Sequence, residues 1–491
     1  MVEILEEIDP YKPRRDARGP CQKEPCMLPQ PVTDYLRKHR EDHLVKLFEL
    51  LRLPSIACLA DSPGQPDACR LAADWLSGHL KELGLQADVR PTGGRPCVIA
   101  KARVSDDVPT LLIYGHYDVQ PPEPLDAWES PPFEPAVRDG YIYARGACDD
   151  KGRLFAHLMA VEAWQRAGGG LPVNVTILLE GEEEIGSPNL ESFLAEHKGD
   201  LSAHAALISD SGFFAEGVPS ITYALRGLLY LEVTLTGARQ DVHSGEHGGA
   251  LANPINSLAK MIAQMHTPDG RVTIPGFYDD VLALTDSERQ EWAKLPFDET
   301  EYAASLGVDV LAGGEKGFGI LERRWARPTL DCNGIVGGHT GAGAKTIIPA
   351  SASTKITTRL VPNQDPEKIA AGFRQFLAER TPAGTRATMS ISAGARPVLL
   401  AKDSPAMEAA KASYLESFGR ESAFIRCGAT VPVTELIQRL LGLDAVLLGL
   451  GLPDDNLHGP NERFRLDHLW RGSVASAAFM QQIGHRLQKG K

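Results

Sequence analysis

Short apolar runs recur along the first half of the chain, and each is cut off by a polar cluster. Residues 110–113, 173–179 and 205–208 are mostly apolar over a strand's length, which is how strands buried on both faces read. Residues 97–104 suggest one more strand. Helical spacing fills the gaps. Leu44, Leu47, Phe48 and Leu51 share a face of a helix that Asp34 can cap and that ends before Pro54. Trp75, Leu76, Leu80 and Leu83 share another, with Gly84 placed for a left-handed C-terminal cap. Leu154, Phe155, Leu158, Met159 and Val161 point inward on a third. Strands alternating with helices predict a wound α/β sheet with helices on both faces.

The pattern changes near residue 222. Leu229, Leu231, Val233 and Leu235 alternate with Tyr230, Glu232, Thr234 and Thr236, and residues 355–360 and 389–391 alternate likewise. Such strands have one face in water. A helix is expected near 254–265, and Thr285 with Glu288 forms a capping-box pattern. From about 397 the earlier style returns, with a helix over 405–418, an apolar strand over 445–448 and a closing helix over 466–487. The expected organisation is an irregular leader (1–31), one domain in two parts (32–221 and 397–491), and a separate α+β domain inserted into it (222–396).

Composition narrows the function more than the fold. The chain has 491 residues, more than one core usually holds, and a net charge of -13 that argues against a nucleic-acid partner. No apolar run is long enough for a membrane helix. The first thirty or so residues lack the apolar core of a signal peptide, and Arg14-Arg15 is not followed by one. The eight cysteines follow no framework spacing, and Cys21 and Cys26 read as ordinary thiols of a tail. A cytoplasmic protein is expected.

The polar clusters that end the strands carry the chemistry. His116 and Asp118 follow 110–113, and Gly115 is read as the residue that lets the backbone turn there. Asp149 lies in Arg145-Gly146-Ala147-Cys148-Asp149-Asp150-Lys151-Gly152. Glu182-Glu183-Glu184 follows 173–179, Asp210 follows 205–208, and His458 lies in the loop after 445–448. Taken singly, each is as well explained as a polar loop. Together, His116, Asp149, Glu184, Asp210 and His458 make two imidazoles and three carboxylates, a set suited to zinc, manganese or cobalt rather than calcium. Five ligands exceed what one open tetrahedral site uses and match two divalent ions sharing a carboxylate. Asp118 is placed to orient the His116 ring. One glutamate of the 182–184 run can bind metal while its neighbour takes the proton of an attacking water.

These motifs, with Gly115-His116-Tyr117-Asp118-Val119-Gln120-Pro121, Glu180-Gly181, Gly186-Ser187 and Ser209-Asp210, resemble the co-catalytic metallopeptidase family of carnosine dipeptidase, carboxypeptidase G and acetylornithine deacetylase. The cytosolic dipeptidase branch is the nearest match, over roughly residues 35 to 485. The resemblance implies a zinc-peptidase α/β domain with a lid that dimerises, and two zinc ions bridged by Asp149. His116 and Asp210 complete one site, and Glu184 and His458 the other. It makes Glu183 the general base. It implies that His243, in Asp241-Val242-His243-Ser244-Gly245, reaches the site of a partner copy and steadies the oxyanion. It implies substrate contacts from Thr346, from Arg359 to a carboxylate, and from Thr430. Ala429 and Thr430 depart from the family's Gly-Gly-Ser-Ile-Pro segment.

The expected activity is cleavage of the amide bond of a small dipeptide. A deacylase or carboxypeptidase of the same family is the alternative, and a metal-dead binding or scaffold protein the different-class one. Two other motifs are set aside. His243 to His247 fits His-x-x-Glu-His, but Gly245, Gly248 and Gly249 oppose the helix that motif needs. Residues 338–346 suggest a phosphate loop, but Ile347-Ile348-Pro349 stands where its helix would start.

Overall fold

A computed structural model describes residues 27–58 and 67–489. The expectations for the start of the leader, Cys21 and Cys26 included, fall outside the described residues. Two compact units emerge. The first comprises the chain up to Tyr223, Leu400–Ile425 and the segment from Val431 onward, and the second comprises Ala224–Leu399 with Arg426–Thr430.

The first unit is built on a mixed sheet. Its strands in chain order are β1 (Gln86–Arg90), β2 (Cys97–Ala102), β3 (Thr110–His116), β4 (Asn174–Glu180), β5 (Ala205–Ile208) and β6 (Ser220–Leu225), joined by a returning strand, Asp444–Leu448. Across the sheet the order is β1-β2-β4-β3-β5, the returning strand, then β6. The centre is parallel: β3 pairs in parallel with β4 and β5, and the returning strand with β5. Every residue of β4 and β5 is buried. Neither strand therefore has a solvent face, Asn174 and Thr176 of β4 included. Lys151–Ala167 is buried through most of its length. Ala68–Glu82 ends as its sequence suggests, with Gly84 at φ +87°.

Two local expectations change. Asp34 does not cap a helix; it lies inside one, Gln30–Lys38, which begins after Pro29. Pro31 is pre-set for a first helical turn, so the helix starts upstream of Asp34. The Leu44 face belongs to a separate helix, Arg40–Leu51. Gly115 is not a turn residue either. It lies within β3, where a Cβ would stand 3.0 Å from Asp150 Oδ2 and 3.1 Å from Leu154 Cδ1. A side chain there would press on both, so space rather than a turn favours glycine.

The second unit holds a four-stranded antiparallel sheet of β7 (Gly227–Thr236), β8 (Thr329–Gly337), β9 (Ser351–Leu360) and β10 (Arg386–Ala395), ordered β8-β9-β7-β10. The alternation in β7 is complete, and its inner residues Leu229, Leu231, Val233 and Leu235 share a core with Leu258, Met261, Ile369, Phe373 and Phe376. The last three lie on the helix Pro366–Arg380, which is not among the elements expected from sequence. Its signals are present: Asp365 accepts from Glu367 N, Pro366 opens the helix, and the apolar positions follow helical spacing. The 267–330 stretch contains the short helices Asp286–Trp292, Glu299–Ser305 and Ile320–Trp325, the first opened by the Thr285–Glu288 capping box. A single helical turn, Ser244–His247, forms despite its glycine, with His243 as its N-cap.

One buried group gives the first unit an acid sensitivity. His157 is fully buried, its Nδ1 is 2.8 Å from Ser476 Oγ, and burial pushes its pKa from 6.5 down to about 3. Between those values the folded protein leaves it neutral while the unfolded chain protonates it. Stability therefore falls as pH falls through that window, by about 1.4 kcal/mol per pH unit. Denaturant titrations of chelator-treated protein between those limits should show a shallower pH slope for His157→Asn than for the wild type.

Candidate metal centre

The wound sheet brings the polar clusters together because its central strands are parallel and end on the same side. His116 is the last residue of β3, and Glu180 is the last of β4. One turn beyond β4 the chain forms the short 3-10 helix Glu183–Ile185. Asp210 follows the end of β5, and Asp149 stands just ahead of the helix Lys151–Ala167. A Cβ on Gly152, in that helix's first turn, would come within 1.9 Å of Ala147 O, so only glycine lets this turn close.

Six side chains form two groups: His116, Glu183 and Asp210, and then Asp149, Glu184 and His458. Within each, candidate ligand atoms lie within 4.8 Å of one another. Asp149 links them. Its Oδ1 is 3.4 Å from His116 Nε2 and its Oδ2 is 3.1 Å from His458 Nε2, which is also 3.3 Å from Glu184 Oε2. His116 is fully buried, yet its Nε2 makes no hydrogen bond. A buried imidazole nitrogen without a donor or acceptor, facing carboxylates, fits a divalent cation and leaves little else for it to do.

Asp118 does more than orient a ring. The His116 Nδ1 bond, at 3.1 Å, goes to the Asp118 backbone carbonyl, while Asp118 Oδ1 is 3.4 Å away. The carboxylate oxygens accept the backbone N–H groups of Glu183 at 3.2 Å and Glu184 at 3.0 Å. One buried residue thus ties the β3 end to the glutamate turn. Gln120 Nε2 donates to Glu184 Oε2 at 2.8 Å. Glu180 and Glu182 are buried supports: Tyr114 donates to Glu180 at 2.6 Å, and Arg95 N and Asn189 Nδ2 donate to Glu182.

Sequence reasoning passes over Glu462, the acid that closes the 451–462 segment. It is fully buried. Its Oε2 accepts from Arg145 Nη1 at 2.8 Å and Gly146 N at 2.9 Å, and its Oε1 accepts from Cys148 N and Asp149 N at 2.9 Å each. Arg145 Nη2 also donates to the His458 carbonyl at 3.1 Å, which helps hold His458 at φ +64°, a region few non-glycine residues occupy. Arg145 and Glu462 therefore join the Asp149 segment to the His458 loop. Lys151, also unassigned by sequence, donates to Leu50 O and Leu53 O, and burial lowers its pKa to about 7.

The field in this pocket is uneven. Burial works against an ionised Asp149, but Arg153, His116 and His458 outweigh it and hold its pKa well below the usual carboxylate range. Burial pushes Glu183 well above that range; His116 opposes the shift and Asp210 adds to it. Burial, then Asp149, raises Glu184 to about 7. Crowding of acids in one buried place thus pushes Glu183 and Glu184 up, while the cationic neighbours of Asp149 hold it down.

The other named residues lie in the second unit. His243 is exposed, and its Nδ1 accepts from Gly245 N at 3.0 Å. Thr346 is exposed, and its carbonyl accepts from Ser244 N. Arg359 Nη1 donates to Thr430 Oγ1 at 3.1 Å, and Thr430 Oγ1 donates to Arg226 O at 2.6 Å, so Thr430 is a junction rather than a free hydroxyl.

A wound sheet bearing paired histidine–carboxylate groups at its strand ends, with an antiparallel unit inserted, defines a metal-dependent hydrolase. Residues 112–482 match Peptidase family M20/M25/M40, and the chain belongs to that family as a metal-dependent peptide hydrolase. It is 31% identical over 474 residues to the human Beta-Ala-His dipeptidase, covering 94% of this chain and 93% of that one. It is 30% identical to a Cys-Gly metallodipeptidase of Candida albicans, covering 93% and 97%. Among solved structures, an M20 family metallo-carboxypeptidase from Sulfolobus solfataricus superposes with a TM-score of 0.81 at 35% identity, covering 90% of this chain and 99% of that one.

The Glu462 hub gives a direct test. Glu462→Ala leaves the Arg145 guanidinium without its buried carboxylate and exposes three backbone donors. It should cost about 3–5 kcal/mol in denaturant unfolding and lower the metal content of the purified protein. A variant as stable and as metal-loaded as the wild type would remove Glu462 from this role.

Proposed function

We propose that the protein hydrolyses small dipeptides, with His116, Asp149, Glu184, Asp210 and His458 holding two divalent cations, zinc in the first place and manganese or cobalt as substitutes. The observation that carries this reading is Asp149, which presents one carboxylate oxygen to each histidine. When bound, such a pair of ions polarises an amide carbonyl and lowers the pKa of a water to about 7.

The remaining steps fall to the chain. Glu183, placed beside His116 and Asp210, takes a proton from the attacking water and delivers it to the leaving amine. Asp118 holds the Glu183 backbone and the His116 ring in register. The partner subunit's His243 steadies the oxyanion, worth a few kcal/mol for such a donor. Thr346 holds the substrate, and the Arg359 guanidinium, fixed by its bond to Thr430, pairs with the substrate carboxylate. The first unit carries the chemistry, and the second acts as lid and dimerisation domain. The apolar, exposed Ile335 and Val336 on the end strand β8 support a homodimer through it. A cytoplasmic location is consistent with six described cysteines all free of disulfides. Among the described residues no helix is long and apolar enough to cross a membrane.

The dipeptidase activities of the human and Candida relatives favour dipeptides. The Sulfolobus carboxypeptidase favours a second reading, in which the same centre removes a C-terminal residue from longer or N-blocked substrates. Initial rates on dipeptides, N-acetyl amino acids and N-succinyl amino acids separate the two, and dipeptides should lead by at least about tenfold.

Two further outcomes are expected. Glu183→Gln should keep its metal by elemental analysis and lose about 10²–10⁴ of kcat; turnover near wild type would exclude Glu183 as the base. Dialysis against a chelator should abolish hydrolysis while the far-ultraviolet spectrum persists, and Zn²⁺ or Mn²⁺ should restore it. Undiminished turnover after the metal has been removed would refute the metal-dependent reading.

A further inference from the structure

The centre contains a cation of its own. Arg153, in the first turn of the helix Lys151–Ala167, is 1% exposed. Its Nη2 donates to Asp149 Oδ1 at 2.5 Å and to Asp210 Oδ1 at 2.9 Å, its Nε to Asp150 Oδ1 at 3.1 Å, and its Nη1 to Ser211 O at 3.2 Å. A guanidinium stays charged at any working pH, and a buried one persists only where carboxylates surround it.

The placement is one-sided. The Asp149 oxygen that Arg153 engages is the one facing His116, and its second carboxylate, Asp210, belongs to the His116 group. Asp149 Oδ2 faces His458 instead. Glu184, the other carboxylate on that side, is bonded by the neutral amide of Gln120. A dication beside His116 and Asp210 would therefore share both carboxylates with a fixed positive charge. A dication beside Glu184 and His458 would share only Asp149, and through its far oxygen.

We infer that Arg153 is a built-in third cation of the centre. It holds Asp149 and Asp210 in place while the His116–Asp210 position is empty, and it weakens that position for a divalent ion, so that the Asp149–Glu184–His458 position fills first. This inference rests on the ligand assignment proposed above. Arg153 is a positioning residue; it acts through the two aspartates and touches no reacting atom.

Calorimetric titration of chelator-stripped protein with Mn²⁺ alone tests it without reference to turnover. The wild type should show two separated binding steps. His458→Ala should abolish the tighter step, which identifies the position that fills first. Arg153→Gln keeps hydrogen-bond donors but loses the charge, and should tighten the weaker step by at least about tenfold while moving the tighter one by less than about threefold. Arg153→Lys keeps the charge and should leave the weaker step within about threefold of wild type. Two equal steps in the wild type would overturn the inference while leaving the ligand assignment standing. So would a weaker step unchanged or loosened in Arg153→Gln, or one tightened as much in Arg153→Lys. A wild type that binds no Mn²⁺ and no Zn²⁺ would sink the ligand assignment and this inference with it. Should Arg153→Gln fail to fold, Arg153→Met removes the same charge and should tighten the weaker step likewise, and a weaker step unchanged there would overturn the inference.

Discussion

Carboxylates crowded into a space from which water is largely excluded repel one another, and the first unit is arranged around keeping them there. Asp118, Asp149, Asp150, Glu180 and Glu462 are buried, with Glu183, Glu184 and Asp210 beside them. Each ionised acid removed from water costs several kcal/mol unless compensated. The compensation comes from groups that are themselves fixed: the guanidiniums of Arg145 and Arg153, two imidazoles, and backbone N–H groups aimed at Asp118 and Glu462. Take away these partners and the acids would protonate or turn outward.

The same compensation transmits position. Asp118 accepts the amides of Glu183 and Glu184, so the glutamate turn after β4 cannot move without the end of β3. Glu462 accepts the amides of Cys148 and Asp149 and pairs with Arg145, which in turn holds the His458 carbonyl. Segments more than three hundred residues apart in sequence are thereby locked to within a hydrogen bond. Rigidity of this kind is what metal chemistry asks of a protein, because ligand geometry set by loosely held loops would drift with each fluctuation.

The second unit follows a different logic. Its core is a one-sided sheet under two helices, built from the inner residues of β7 and β9 with Leu258, Ile369 and Phe373. Its polar junctions, such as Arg359–Thr430, are internal to it. A unit that folds on its own core can be inserted into another without disturbing the register of the parallel sheet.

Much of this was legible along the chain. Mostly apolar runs marked β3, β4 and β5, the period-two alternation marked β7 and β9, and the motifs around His116, Glu183 and Asp210 stood at the strand ends. Periodicity and local motif are properties of neighbouring residues, so a sequence states them openly. The helix Pro366–Arg380 was legible too, through its capping aspartate and opening proline. What the chain order could not state was which distant groups meet. That Glu462 serves the Asp149 amides, that Gly115 yields room to Asp150, and that Arg153 sits between Asp149 and Asp210 were settled by the parallel stacking of strands, which gathers separate loops at one edge. Local pattern follows from bonded neighbours and side-chain period; convergence of charges depends on how whole elements pack, and only the folded arrangement decides it.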